Sequence, residues 1–447
     1  MNSIFSYNSN KYSYLHYALA LGLGLLSGYM YIPEQIFVLM YVLLALALIF
    51  FAITSDLLRL FSWMPYFCYM EIWVKDTFYT ALPYSFSQFI MIAVFFTLVV
   101  NQLPVIKFHT RTFIFMFIFA LVEIMNSVVA DNMDYSRYLI YNTIYMSLVV
   151  LWSATNILSP QLLSRFIYNL KVAGVFLCGI IAVAHVKGDI NYSLRSSYEA
   201  TNGLAPNQVA CYLGITAVLL FISIMENDDI LVLILNTTLI MICTTLLALS
   251  FSRGGIYILT TIAVLYLAVN ISQTRTIVYT FLMLPVIYIV YSYATSESGG
   301  LIEQRFDMQG TSGRDVLAEA AVILFKKNIF TGVGTGNFNT AIVSERLFTF
   351  QSGAHNEFTR VMAEHGLAGI IPYYGFYILL GVHILRRKQG LARQFGFYFF
   401  TLFFLITIYN ALKIAVQPLL LVLAIASPYI DIGGQAETEP EEQSETA

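Results

Sequence analysis

The chain has few charged residues, few cysteines and no excess of basic over acidic residues, and each of these features excludes a class of protein. Charged residues make up 11% of its 447 residues, against a hydrophobic share of 58%. A soluble domain carries about 25% charged residues, so too little polar surface is present to cover a water-facing globule of this size. The net charge of −3 offers no basic surface for nucleic acid.

Cysteine spacing indicates neither a disulfide framework nor a metal site. The four cysteines, Cys68, Cys178, Cys211 and Cys243, are scattered through apolar stretches without a CxxC pair. We expect them to be buried as small apolar residues. The sequence has no HExxH motif, and we therefore predict no zinc site.

Long apolar blocks dominate the chain, and many approach the ~20 residues that cross a bilayer as a helix. They predict an all-α polytopic integral membrane protein with about 12–14 transmembrane helices, about 14 being favoured. A short block at 60–74, interrupted by Pro65 and Glu71, either spans or lies in the interface. The other predicted spans are 13–32, 36–55, 84–101, 112–130, 138–157, 166–185, 206–224, 230–249, 255–272, 276–294, 366–385, 395–410 and 414–429.

Basic residues in the loops predict the orientation, because they favour the cytoplasmic side. The densest cluster, Arg-Arg-Lys at 386–388 with Arg393, is predicted to lie inside, which places the polar segment 296–365 outside. The predicted organisation has four parts. They are N-terminal transmembrane helices at 1–295, an outer loop with short helices at 296–365 that is the best candidate for chemistry, C-terminal transmembrane helices at 366–430 and a disordered acidic cytoplasmic tail at 431–447.

Two arginines are candidates for binding an anion. Arg253, in the SRGG of 252–255, lies between two predicted spans, at their outer ends. Basic residues are uncommon on that side of the membrane, so a functional role is favoured over an arginine that only extends its side chain towards water. Arg314, in the GTSGRD of 310–315, opens an amphipathic stretch at 316–325 that Thr311 and Ser312 could cap. A guanidinium at a helix N-terminus suits phosphate; the alternative is a surface arginine in a long loop.

Two further patterns flank the end of the outer segment. The GVGTGN of 332–337 could bring backbone N–H groups close to phosphate, but it lacks the GK[ST] ending of a nucleotide-binding loop and could be a plain tight turn. His355-Asn356 is followed nine residues later by the GLAG of 366–369. We interpret His355 either as a general base or as a surface histidine. Residues 357–365 are predicted to form a short helix at the membrane surface, before the span that begins near Gly366.

Together these stretches resemble the bacterial O-antigen ligase and O-antigen polymerase superfamily, and the similarity concentrates in residues 195–370. One departure is Leu317, near where many members carry a tryptophan. The stretches that carry the resemblance are the SRGG at 252–255, the GRD at 313–315, the GVGTGNF at 332–338, the HN-x9-GxxG at 355–369 and the Arg195…Asn207 stretch, which looks like the family's Arg-to-Pro-Asn element.

The resemblance implies a GT-C-like fold in the bacterial inner membrane, with a site that faces the periplasm. It implies a metal-independent glycosyltransferase without cofactor, which passes glycan from an undecaprenyl-diphosphate carrier to a sugar hydroxyl in O-antigen, capsule or exopolysaccharide biosynthesis. Arg253 and Arg314 would hold the diphosphate, and His355 would deprotonate or orient the acceptor. The implied substrate-binding residues are Arg195, Asn207, Gly334, Gly336 and Asn356.

The acceptor stays open between two forms of this reaction. A polymerase joins one carrier-linked repeat to another, whereas a ligase passes finished polymer to lipid A–core of lipopolysaccharide; the favoured span count leans slightly to the polymerase. Expected partners are the carrier-linked glycan, the acceptor, membrane lipid and a polysaccharide chain-length regulator. The alternative class is a transporter or flippase of the lipid-linked glycan, but the spans hold few charges and the halves do not repeat.

Overall fold

The apolar blocks form helices throughout the part of the chain that the computed structural model describes, which is residues 13–30, 34–77, 81–102, 111–188, 190–227, 229–307, 313–387, 390–410 and 414–426. The predicted tail at 431–447 lies outside these residues. The helices are α1 (Ser13–Tyr29), α2 (Glu34–Ile53), α3 (Leu57–Thr77), α4 (Phe86–Asn101), α5 (Arg111–Asn126), α6 (Met133–Thr155), α7 (Pro160–Lys187), α8 (Pro206–Met225), α9 (Ile230–Leu249), α10 (Arg253–Asn270), α11 (Thr274–Glu297), α12 (Leu301–Asp307), α13 (Arg314–Lys327), α14 (Phe338–Ser344), α15 (Glu357–Leu385), α16 (Leu391–Asn410) and α17 (Val416–Ile425).

Nine helices within the described ranges are long and apolar enough to cross a membrane. They are α2, α5, α7, α8, α9, α10, α11, α15 and α16. Two shorter apolar helices, α4 and α17, accompany them. The all-α membrane fold with short helices in its large loop is therefore confirmed. The block at 60–74 belongs to α3, which buries Glu71 and Lys75 as an ion pair at 2.5 Å.

Polar residues at the helix starts explain several of these boundaries. The side chain of Asn132 accepts from the Tyr135 N–H at the start of α6. Ser159 accepts from the Leu162 N–H at the start of α7, where Pro160 occupies the first turn. Such N-caps satisfy N–H groups that have no partner within the helix.

Two glycines, Gly214 on α8 and Gly255 on α10, let the backbones of these helices approach closely near the start of α10. A Cβ on Gly255 would lie 2.2 Å from the Ala210 carbonyl oxygen, and one on Gly214 would lie 3.2 Å from the Gly255 Cα. Small residues bring membrane helices into backbone contact in this way. The second glycine of the SRGG stretch therefore holds the N-terminus of α10, and with it Arg253, beside the N-terminus of α8.

The described part of the polar segment 296–365 has a small apolar core of its own against the start of α15. Leu317 is only 3% exposed in that core, so leucine fills the packing position near which the resembling family carries tryptophan. All four cysteines are buried with free thiols, as predicted. The other buried residues of the small core are Ala320, Ala321, Leu324, Phe338, Ile342 and Ala363.

Candidate active site

A cavity of about 400 Å³ lies where the polar segment 296–365 meets the long apolar helices. Among the described residues, three arginines and one carboxylate, that of Asp315, line it. The lining residues are Ser196, Asn207, Ser252, Arg253, Gly254, Tyr257, Arg305, Arg314, Asp315, Ala318, Ala354, His355, Asn356, Thr359, Ile408 and Tyr409. The excess of guanidinium over carboxylate gives the lining a net positive charge, which would suit an anionic ligand.

Four helices present their N-termini to this cavity. Asn207 is in the first turn of α8, Arg253 begins α10, Arg314 begins α13, and Asn356 is the N-cap of α15; all four residues line the cavity. The first N–H groups of each helix lack intrahelical partners, and the aligned peptide dipoles place partial positive charge there. Four such ends add to the positive field of the arginines.

The arginines are held in place by neighbouring backbone and by their position on helices. Arg305 on α12 donates a hydrogen bond to the Leu194 carbonyl, which connects α12 to the loop between α7 and α8. Burial lowers the pKa of Arg305, and the charges of Arg253 and Arg314 lower it further. Burial also lowers the pKa of Arg314, with a contribution from Arg253. The guanidiniums stay charged at neutral pH, so their mutual repulsion favours binding of a multivalent anion.

His355 lies at the edge of the same cavity in an uncommon backbone conformation. Its φ is +53°, in the left-handed region where non-glycine residues are infrequent and cost roughly 1–3 kcal/mol. The next residue, Asn356, caps α15 by accepting from the Phe358 N–H at 2.9 Å. The turn therefore holds the imidazole before the helix, beside the arginines, where a proton acceptor could act on a bound substrate.

Five of the eight predicted site residues meet in the cavity. They are Asn207, Arg253, Arg314, His355 and Asn356. The other three are not among its lining residues. Arg195 is exposed, although its neighbours Leu194 and Ser196 contact Arg305 and the cavity respectively. Gly334 lies elsewhere, against the connection of α5 and α6, and Gly336 lies against Tyr135 and Ser136 at the start of α6.

One family comparison covers part of the residues that line this cavity. Residues 238–374 match the O-antigen ligase family model. This part of the chain is therefore similar to O-antigen ligase domains, and the family is one of membrane glycan transferases that act as ligases or polymerases. The match covers under a third of the chain. It includes Arg253, Arg314 and His355 and leaves Arg195 and Asn207 outside. A search of curated proteins finds no match to the chain.

Within the matched region, the glycine-rich stretch at 332–337 packs against α5 and α6 and is not part of the cavity lining. Gly332, Gly334 and Gly336 all have positive φ, at 67°, 100° and 81°. The Thr335 hydroxyl donates to the Glu123 carbonyl at 2.7 Å, and the Asn337 amide donates to the Val129 carbonyl at 2.7 Å. These contacts hold the stretch against the C-terminal end of α5 and the residues that follow it.

The same stretch interlocks with the glycines that follow His355. The Val333 N–H donates to the Ala363 carbonyl at 3.0 Å, and the Leu367 N–H donates to the Ile329 carbonyl at 2.7 Å. Gly366 has φ 57° and ψ −148°, and a Cβ there would lie 2.4 Å from the Ile329 carbonyl oxygen. A Cβ on Gly332 would lie 2.2 Å from the Glu364 carbonyl carbon. The two motifs are halves of one backbone joint that kinks α15.

A buried ion-pair cluster joins the first turns of α15 to α5. Arg360, 3% exposed, donates to Glu123 on α5 at 2.7 Å, to Glu357 at 2.5 Å and to Glu364 at 2.5 Å. His365 lies next to the cluster, with Nε2 3.6 Å from the Glu123 carboxylate. The cluster begins one residue after Asn356 and therefore fixes the helix start that carries His355.

Three arginine or tyrosine residues that line the cavity were not predicted from the sequence. Arg305 lies in a polar stretch beside Glu303 and Asp307, where an arginine resembles any solvated residue. Tyr257 follows Arg253 by one helical turn, a spacing that places both on one face and that could have indicated it. Tyr409 comes from α16, more than a hundred residues further along the chain, and no local pattern indicates its approach.

Proposed function

We propose that the chain is a glycosyltransferase of the O-antigen ligase/polymerase type, which moves glycan from an undecaprenyl-diphosphate carrier to an acceptor sugar hydroxyl. The observation that carries this proposal is the convergence of three arginines and four helix N-termini on one cavity beside His355. A diphosphate ester suits that arrangement, because guanidiniums and helix N-termini both bind phosphate oxygens. The apolar tail of such a carrier accounts for a site at the ends of membrane-crossing helices.

The proposed reaction is a substitution at the anomeric carbon of the donor glycan. The acceptor oxygen forms a bond to that carbon, the bond to the diphosphate oxygen breaks, and its electron pair leaves with the diphosphate. Arg253 and Arg314, with Arg305 as a third cation, stabilise the charge that grows on the leaving group. Preorganised positive groups of this kind commonly contribute the largest share of catalysis.

His355 takes the role of general base in this proposal. A ring nitrogen accepts the proton of the acceptor hydroxyl as its oxygen attacks, and the imidazolium then returns the proton to solvent. Asn356, Asn207 and the more distant Arg195 are proposed as substrate contacts. Because the guanidiniums supply the positive charge, we propose that the transfer requires neither a metal ion nor a cofactor.

We propose that the cavity faces the periplasm of a bacterial inner membrane. The support is the opposite end of α15, where Arg386 and Arg387 follow the helix. Arg387 donates to the carbonyls of Ala424 and Ile425 at 2.8 and 2.9 Å, at the end of α17. Basic residues at membrane boundaries favour the cytoplasm, so His355, at the start of the same helix, is expected on the outer side.

For the acceptor we propose a second carrier-linked repeat, which makes the enzyme a polymerase. This rests on the count of about 14 spans that the sequence favours, of which the described residues supply nine long and two shorter apolar helices. A chain-length regulator would then be its protein partner. The alternative acceptor is lipid A–core. Lipopolysaccharide from a deletion strain separates them: core capped by a single repeat indicates a lost polymerase, whereas bare core with accumulated carrier-linked polymer indicates a lost ligase.

The catalytic assignment is tested in the same strain by complementation. His355→Ala and Arg314→Ala should abolish surface polysaccharide at wild-type protein levels in the membrane. Arg137→Ala is the matched control, because Arg137 is an exposed arginine at the start of α6, paired with Asp134 and outside the cavity lining. Wild-type polysaccharide in both cavity variants would refute the assignment.

A further inference from the structure

We propose that Tyr257 and Tyr409 bind the first isoprene units of the donor lipid, at the point where the chain leaves its diphosphate for the bilayer. This inference rests on the proposed function, since it takes the donor to be a polyprenyl diphosphate. It adds a lipid-binding subsite, made by residues of α10 and α16, to the anion-binding residues described above.

The two rings form one side of the cavity. Their centroids are 5.7 Å apart and their planes are inclined by 39°. Tyr257 is 39% exposed, so part of its ring is open to a ligand. Gly254 allows the approach of α16, because a Cβ at that position would lie 3.2 Å from the Tyr409 Cβ. The glycine after Arg253 thus brings an aromatic ring beside the arginine.

The position of the rings favours lipid over sugar. Tyr257 lies four residues beyond Arg253, about 6 Å further along a helix that is long and apolar enough to cross the membrane. Glycan must leave the diphosphate towards water, where α13 and the His355 turn border the cavity. The lipid must leave in the other direction, along α10 and α16, and Ile408 adds an apolar side chain to the lining there.

Tyrosine also suits this boundary chemically. Its ring offers a flat apolar face for the methyl and double bond of an isoprene unit, while its hydroxyl tolerates the neighbouring diphosphate and water. Tyrosine is enriched at membrane–water interfaces for the same reason. The arrangement would let one cavity hold the charged and apolar parts of the donor at their junction.

The test measures the affinity of purified full-length protein in lipid nanodiscs for two probes that carry no sugar. One probe is undecaprenyl diphosphate and the other is inorganic pyrophosphate. Tyr257→Ala and Tyr409→Ala should each weaken binding of the lipid probe roughly tenfold, the size expected when burial against one aromatic ring is lost. Both should bind pyrophosphate like the wild type, and the Phe variants should bind both probes like the wild type.

Tyr288→Ala is the matched control, since Tyr288 is a 70% exposed tyrosine on α11 and should affect neither probe. If an alanine variant does not fold, the leucine variant at the same position preserves an apolar side chain without the ring and should show the same loss. Unchanged affinity for the lipid probe would overturn the inference and would leave a sugar contact as the alternative. Equal losses for both probes would also overturn it, by placing the tyrosines on the diphosphate.

The outcomes separate this inference from the proposed function. Arg314→Ala should weaken binding of both probes, because it removes a diphosphate contact. If Arg314→Ala binds both probes like the wild type, the diphosphate site itself is wrong. If only the tyrosine variants behave like the wild type, the diphosphate site stands and the lipid contact is wrong.

Discussion

Substitution of Arg314 by lysine and by alanine separates the charge of this residue from its geometry. Arg314 begins α13, lines the cavity and has a pKa lowered by burial and by Arg253. A guanidinium presents two parallel N–H donors to a phosphate, whereas an ammonium is a point charge. Lysine should therefore retain attraction for the diphosphate and lose the paired hydrogen bonds.

The magnitudes follow from the number of cations in the cavity. Alanine removes one of the three guanidiniums that line the cavity. In the proposed mechanism, loss of such a preorganised donor costs roughly 10²–10³ in kcat, or about 2.7–4 kcal/mol. Lysine should cost about 1.4 kcal/mol, or roughly tenfold, because one charge-assisted hydrogen bond is lost and one remains. Arg253 and Arg305 remain in both variants, and this should preserve measurable donor binding.

The assay is the initial rate of transfer by purified protein in proteoliposomes, with donor concentration varied. Arg137→Ala, outside the cavity lining, should match the wild type. Equal rates for the lysine and alanine variants would contradict the paired hydrogen bonds. An alanine variant within about threefold of the wild type would refute a catalytic role for Arg314, since a lost oxyanion contact costs far more.

Three further predictions concern the frame of the site. Gly366→Ala should destabilise the protein by roughly 2–4 kcal/mol, because its φ is positive and its Cβ would meet the Ile329 carbonyl; a melting temperature equal to that of Gly22→Ala, a position with open space, would contradict this. Arg360→Ala should cost about 3–5 kcal/mol, since it leaves buried carboxylates without their cation; unchanged thermal unfolding would count against the cluster. Arg195→Ala should lower the transfer rate less than about tenfold, because the residue is exposed and outside the cavity lining, as an accessory contact would be; a loss as large as that of Arg314→Ala would contradict the accessory role.

Helix positions were largely predictable because length and apolar content decide them. The block predicted at 206–224 is α8, and that at 230–249 is α9, with ends within a residue. Boundaries moved where polar residues occupy a first turn. The block at 138–157 begins at Met133 in the structure, because Asn132 caps a helix whose first turn contains Asp134. Hydropathy undervalues such turns, whereas the capping pattern indicates them.

Within the polar segment 296–365, only part of the structure could be predicted. The amphipathic stretch at 316–325 is α13, and the short helix expected at 357–365 is the first part of α15, before the kink at Gly366. The caps expected at Thr311 and Ser312 lie outside the described residues. The short helices α12 and α14 were not predicted individually, because about seven residues are too few for a periodic pattern to emerge.

The cavity shows why motif spacing predicts residue types better than their roles. Arg253, Arg314 and His355 come together because each stands at a helix start, which is a local property of the sequence. The glycines at 332–336 match a phosphate-binding pattern equally well, but their positive φ values serve a backbone joint with α15. Choosing between these roles requires knowledge of what lies opposite the glycines, and that is tertiary information.

The central claim is most directly tested by transfer and binding measured on one preparation. Purified wild-type protein in proteoliposomes is supplied with undecaprenyl-diphosphate-linked glycan, and both the new glycosidic linkage and the released undecaprenyl diphosphate are quantified. We predict that the wild type forms the two products in equal amounts without added metal. His355→Ala should bind the donor with wild-type affinity and form neither product. Transfer by His355→Ala at the wild-type rate, or no transfer by the wild type with either acceptor, would contradict the account.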